Sequence, residues 1–254
     1  MEQNLFVTDK YKNEEVESNC EYLSGYKPNL CEQIDNVIED FERQVRLLDS
    51  LFNQGTEFNK DWIVKMHPIC PSWVEKFFAQ IPWQSVAPTY AEAVQKVLDA
   101  IKTAREGKFS NWREGLIENV RFRQSAKTES VSQKLAESQK DHNVIAMPAQ
   151  FGIRHRGRSV RRAREVMNAN EFGLGAFATG IMILTHPERL QHFRHLYDLW
   201  ICCAGDEFHH HHSVVPFDCA PHFRFINYGV EFFTYRVNIA SARFGSVTGF
   251  LPQF

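Results

Sequence analysis

Long hydrophobic runs are missing. The longest apolar stretch, FGLGAFATGIMIL from Phe172 to Leu184, has 13 residues, well short of the roughly 20 that cross a bilayer as a helix. The opening MEQNLFVTDKYKNEE lacks the basic cluster and apolar segment of a secretory signal, so a cytoplasmic location without membrane attachment is expected. Cysteine is scarce as well: six are scattered over 254 residues, and Cys202 and Cys203 are adjacent. That pattern excludes a disulfide scaffold and predicts reduced thiols. Apart from a run of histidines there is no repeat or low-complexity tract, which excludes solenoids and linker arrays.

What is present is enough apolar material for a real core, 43% hydrophobic and 13% aromatic residues. Residues 1–33 are polar and weakly patterned and read as an arm that could be flexible. From Ile34, apolar residues recur at three- and four-residue steps through Val37, Ile38, Phe41, Val45, Leu48, Leu51 and Phe52, which predicts a helix ending before Gly55. A short helix capped by Ser72 is expected to turn Trp73, Phe77 and Phe78 inward. Thr89 and Glu92 form a capping box for another helix that stops at Gly107. Helical stretches are expected at 111–123 and 128–141, then an extended segment in NVIAMPAQFGI. Three helices follow, at 159–167, at 171–184 and after Thr185. In the second of these, Gly173, Gly175, Ala176, Ala178 and Gly180 would let a neighbour approach closely. The last fifty residues switch to short aromatic, β-branched runs, with Asn227 and Gly229 in a tight turn. The expectation is an α+β protein: a helical region over 34–143, and an α+β region over 144–254 ending in a small antiparallel sheet.

The charges are unevenly distributed. Residues 1–50 carry twelve acids against five bases, whereas 101–164 carry fifteen Lys and Arg against six acids. Opposed regions of this kind either pack on each other or reserve a basic surface for an anionic partner. The densest part is RHRGRSVRRAR, with Arg154, Arg156, Arg158, Arg161, Arg162 and Arg164 in eleven residues. Guanidinium groups pair bidentately with phosphate, so a helix from Ser159 that buries Val160, Ala163, Val166 and Met167 would offer an arginine face to DNA or RNA. Arg121 and Arg123, with Phe122 and Trp112 nearby, add the basic and aromatic mixture that single strands favour. The alternative is salt bridging of these arginines to the acidic N-terminal half.

ICCAGDEFHHHHSVVPFDCAPHF, from Ile201 to Phe223, holds three of the six cysteines and five of the eleven histidines. Cys219 and His222 are three apart and, with Cys202 and one of His209 to His212, could make a tetrahedral zinc set. Against this, adjacent side chains in a strand point to opposite faces, and four consecutive histidines fit a solvated loop that picks up metal adventitiously. Asp198, Asp206, Glu207, His192, His195, Cys202 and Cys203 are the candidates for acid–base or nucleophilic chemistry, with exposed helix histidines and an acidic turn as the plainer reading. His67 with Cys70 reads as a packed turn.

The stretches MPAQFGIRHRGRSVRRAREVMNANEFGLGAFATGIMILTHPERL, DLWICCAGDEF and FGSVTGFLPQ resemble uncharacterised bacterial proteins of plasmids, integrative elements and prophages. In those, Asp would be expected where Cys202 stands, followed by an acidic loop. The resemblance carries no activity and no site residues. It implies an accessory protein of a mobile element, where DNA handling, transfer regulation and inhibition of host defence are the common tasks. Three functions are therefore carried forward: a non-enzymatic protein that binds nucleic acid or a host nucleoprotein complex through its arginines, an inhibitor of a host defence protein that uses its acidic N-terminal half, and a metal-dependent enzyme built on the Cys/His cluster.

Overall fold

The computed structural model describes residues 10–23, 25–191, 198–210 and 212–252. The longest helix, α1 (Ile34–Phe52), buries Val37, Ile38, Phe41, Val45 and Leu48 as its periodicity requires. α2 (Lys60–Met66) follows, capped by the Asn59 side chain. The next segment departs from expectation: Lys76–Gln80 is a strand, β1, and all five of its residues are buried. A strand covered on both faces shows no alternation, which is why its phenylalanines read as part of a helix.

α3 (Tyr90–Ala104) carries the expected Thr89–Glu92 capping box. The helix expected at 111–123 is instead two short strands, β2 (Phe109–Asn111) and β3 (Phe122–Gln124), joined by turns. α4 (Ala126–Glu137), β4 (Ile145–Gln150) and α5 (Val160–Val166, capped by Ser159) fall where the sequence puts them. The Gly- and Ala-rich helix starts later than expected: Glu171–Gly173 is strand β5, and α6 spans Ala176–Thr185. Beyond it lies a 3-10 turn, Pro187–Leu190. The remaining strands are β6 (Trp200–Cys202), β7 (Asp206–Phe208), β8 (Cys219–Ile226), β9 (Gly229–Arg236), β10 (Phe244–Ser246) and β11 (Thr248–Phe250).

The class is α+β, but strands are not confined to the C-terminus and helices do not dominate the first half. One sheet, in the order β1-β4-β11-β5, is antiparallel throughout and draws its strands from both halves of the chain. α1 and α6 pack on β1, and α6 packs on α3. The second sheet is mixed: β8 pairs along its length with β9, while β6 and β7 pair with it at different points, and β10, β3 and β2 extend it. Asn227 and Tyr228 link β8 to β9 at φ 50° and 67°, the left-handed pair that a two-residue hairpin needs. At Val247 the chain steps from the second sheet to the first, and the Val247 amide donates to Cys202 O at 3.0 Å.

Small residues let the layers meet. A Cβ on Gly173 would lie 2.6 Å from the Ala204 carbonyl carbon, and one on Gly180 would overlap the Val97 side chain of α3. One core cluster runs from Tyr26 to Val247 and so spans the expected boundary near residue 143. The described part of the N-terminal arm is packed down, with Glu14, Cys20, Tyr26 and Leu30 buried.

Glutamines complete the sheet where no strand is available. The Gln44 amide of α1 donates to Phe77 O at 3.0 Å and accepts from Ala79 N at 2.9 Å, so it serves β1 as a neighbouring strand would. Gln139 does the same for Ala146 on β4, at 3.0 and 2.9 Å. Replacing Gln44 with Met keeps the volume and leaves two buried backbone groups unpaired, each costing about 1–3 kcal/mol. Urea denaturation of Gln44→Met should show a loss of about 2–6 kcal/mol; a change within measurement error would mean that α1 does not support the β1 edge in this way.

Candidate nucleic-acid interface

The six arginines of the 154–164 run are distributed through internal contacts. Glu14 and Glu15, on the packed N-terminal segment, reach α5: Glu14 pairs with Arg161 and accepts from Ser159 Oγ at 2.7 Å, and Glu15 pairs with Arg162 and, at 3.4 Å, with Arg158. Burial alone would raise both carboxyl pKa values. Hydrogen bonds from Arg161 and Ser159 to Glu14, and from Arg162 to Glu15, outweigh it and hold both below the ordinary value. Arg162, expected on an outer face, is buried at 5% exposure. Its Nη1 donates to Lys10 O at 2.9 Å. Arg161 also stacks over Tyr11, 4.0 Å from the ring centroid. Arg164 donates to Ala204 O and Asp206 O at 2.8 and 2.7 Å. Arg156 is the exposed member, reaching Cys20 O at 3.3 Å.

Arg154 turns inward to Glu171, with Nε at 3.0 and 3.1 Å from the two carboxylate oxygens, and lies 4.6 Å over Trp73. Glu171 has no solvent exposure. His155 Nε2 lies 2.7 Å from Glu171 Oε1, and Arg158 Nη1 lies 3.2 Å from His155 Nδ1. A guanidinium can only donate, so Nδ1 accepts and Nε2 carries the proton toward Glu171. Thr248 Oγ1 also donates to Glu171, at 2.8 Å, and Gln150 Nε2 donates to Thr248 at 2.8 Å. Burial opposes ionisation of Glu171, but His155, Thr248 and Arg154 prevail and bring its pKa down to about 2. Burial is also the main reason the His155 pKa is lowered, which fits a neutral ring.

Asp206 and Glu207, expected in an acidic turn, stand in strand β7. Asp206 is fully buried and serves as the missing cap of α6: Ala176 N donates to it at 2.6 Å and Tyr90 OH at 2.8 Å. Burial, the largest influence, raises its pKa to about 7 despite those donors. Asp198 pairs with the buried Arg189 at 3.1 Å. His192 and His195 lie outside the described residues. His67 bonds Leu30 O at 2.7 Å, and Cys70 sits half-buried with its thiol raised to about 12 by burial.

The expected metal set does not come together. Cys202 and His222 are direct cross-strand partners and share a face of the sheet. Cys219, three residues from His222 along β8, takes the opposite face. The spacing of three that suits a loop or helix separates ligands on a strand. His222 is buried among Phe233, Phe244 and Tyr235, with Nδ1 2.9 Å from Ala220 O, and burial lowers its pKa to about 4. Burial pushes the thiols of Cys202 and Cys203 upward, and that of Cys219 to about 12. Among the described residues no group of three or more His, Cys, Asp or Glu is placed to hold a metal ion.

Arg121 and Arg123 lie elsewhere, on the second sheet. The segment between β2 and β3 crosses from the strand beside β9 to the strand beside β7. Along it Trp112 is 60% and Val120 76% exposed. Arg123 lies 3.7 Å over Phe217 and pairs with Glu207 at 2.8 Å; Arg121 stands 3.8 Å from Glu118. The histidine loop adjoins them, His209 N donating to Arg121 O at 2.8 Å. Arg113 and Arg236 share this side, with Arg113 bonded to Thr234 of β9. The sequence reading missed both arginines, although Arg113 directly follows the Trp112 that it noticed. Comparisons with protein-family models, curated proteins and solved structures give no match.

Two carboxylates should give opposite pH signatures. Glu171 has a depressed pKa, so its contribution is present above the ordinary carboxylate range and is lost as pH falls toward about 2. The shift corresponds to about 3 kcal/mol. Asp206 has a raised pKa, so its contribution is present below the ordinary range and is lost as pH rises through about 7. Urea midpoints between pH 3 and 8 should therefore show a shallower acid-side slope in Glu171→Gln and a shallower neutral-side decline in Asp206→Asn. Identical slopes in wild type and both variants would refute these assignments.

Proposed function

We propose that the protein is a non-catalytic accessory protein that binds single-stranded nucleic acid, and that its contact face is the 112–123 crossing together with the His209–Phe217 loop. The observation that carries this reading is the mixture on that face, exposed Trp112, Val120 and Arg123 beside half-buried Arg121 and Arg113. Aromatic rings supply stacking that tolerates any base, and guanidinium groups neutralise phosphate. The arginine run 154–164 has a different part in this reading. Four of its six charges meet Glu14, Glu15 and Glu171, so it fastens the fold and leaves the recognition of strands to the second sheet. A mobile-element setting, which the sequence resemblance implies, is one in which exposed single strands are routine.

Fluorescence anisotropy with a labelled single-stranded oligonucleotide over a salt series tests this. Trp112→Ala should weaken binding by about 1–3 kcal/mol. Arg121→Ala with Arg123→Ala should flatten the plot of log affinity against log salt by about 0.7 per lost phosphate contact. Arg158→Ala, Arg161→Ala and Arg162→Ala together should lower thermal stability first. Absence of binding, or binding that responds to the second group and not the first, would reject the assignment.

A further inference from the structure

The same side of the molecule contains a cavity of about 410 Å³. Its floor is the end of β9, with Thr234, Tyr235 and Arg236. One wall is Arg113, and the histidine loop with His210, His212 and Ser213 forms the other. We propose that this cavity is a binding site for a phosphomonoester dianion, held between the Arg113 and Arg236 guanidinium groups. The site shares Arg113 and the histidine loop with the proposed strand-binding face but takes a single phosphate, so its occupancy does not depend on a polymer being bound.

Arg113 is already positioned. Its Nε donates to Thr234 Oγ1 at 2.7 Å and its Nη1 to Trp112 O at 2.7 Å, both neutral acceptors. The fork is fixed in direction while its charge meets no carboxylate in those bonds, and Nη2 is the donor that a ligand takes. Burial lowers the Arg113 pKa, the mark of a desolvated guanidinium, and such a group remains charged at neutral pH. Arg236 is the last residue of β9 and stands opposite Cys219 in the β8–β9 register, with its side chain exposed. Both arginines line the cavity together with Cys219.

One carboxylate, Asp218, lines the cavity. It is turned to the loop, accepting from Ser213 Oγ at 2.7 Å and from the Cys219 thiol at 3.5 Å. Two guanidinium groups against one carboxylate leave an excess positive charge. Two guanidinium forks and the Thr234 hydroxyl on the same face of β9 supply more donors than one planar carboxylate ligand could accept. A tetrahedral phosphoryl group with three terminal oxygens fits that set. The volume also leaves room for part of the group that the phosphate esterifies. Such a phosphate arises from a small phosphorylated molecule or from the phosphorylated end of a nucleic acid, and the binding chemistry is the same.

Isothermal titration of the full chain with inorganic phosphate, a small phosphomonoester, and matched oligonucleotides ending in 5′-phosphate or 5′-hydroxyl tests the site. Binding should require the phosphate and should weaken about tenfold in Arg236→Gln, the loss of one charge-assisted contact. Arg113→Lys, which keeps the charge and removes the fork, should weaken it as well, and Arg156→Gln should leave it unchanged. A preference for the 5′-phosphorylated oligonucleotide assigns the ligand to nucleic-acid ends, and a preference for the small phosphomonoester assigns it to free molecules; either supports the site. No phosphate binding, or binding indifferent to Arg236→Gln, overturns it, whatever the 5′-hydroxyl oligonucleotide does on the outer face.

Discussion

A fully buried carboxylate must be paired, and Glu171 organises much of this molecule by that requirement. Its partners come from three places: Arg154 and His155 from the segment after β4, Thr248 from β11, and the amide of Asn168 at 3.2 Å. Through His155 the network reaches Arg158, and through Arg158 it reaches Glu15 at the N-terminus. A single chain of polar contacts therefore links the antiparallel sheet to the packed-down N-terminal segment. Removing one member of such a network leaves an uncompensated buried charge, at a cost of about 3–5 kcal/mol.

This network accounts for the charge gradient along the chain. The acidic opening and the basic middle are complementary halves of one interface. Glu14 and Glu15 hold α5 by Arg161, Arg162 and Arg158, and Ser159 donates to Glu14 while capping the same helix. Four arginines of the densest cationic stretch are therefore paired within the fold, and the basic groups beside the exposed Trp112 lie on the other sheet. The neighbours differ: Arg154 meets the fully buried Glu171, Arg123 and Arg121 meet the half-buried Glu207 and the exposed Glu118, and Arg113 is held by neutral acceptors.

Local signals in the sequence were reliable where local physics decides. The period of α1, the capping box of α3, the start of α5 at Ser159, the extended β4 and the Asn227 turn all depend on residues a few positions apart, and all were legible. The failures share one cause, contacts made by residues far apart in the chain. β1 is covered by α1 and α6, so its burial carries no period. β2 and β3 exist because β9 and β7, a hundred or so residues later, accept them. The Cys/His cluster looked like a ligand set until strand pairing placed Cys219 on the opposite face from Cys202 and His222. Arg236 closes a strand that read as ordinary sheet, and the β2–β9 pairing, with the Arg113 bond to Thr234, brings Arg113 to the same end of β9.

The proposed division of labour has Arg154 to Arg164 fastening the fold and the 112–123 crossing with the histidine loop meeting nucleic acid. Ultraviolet crosslinking of the full chain to a single-stranded oligonucleotide, with the attached peptides mapped by mass spectrometry, tests it most directly. The account predicts crosslinks within residues 112–123 and 209–217, with Trp112 foremost. Crosslinks concentrated on residues 154–164 would contradict it.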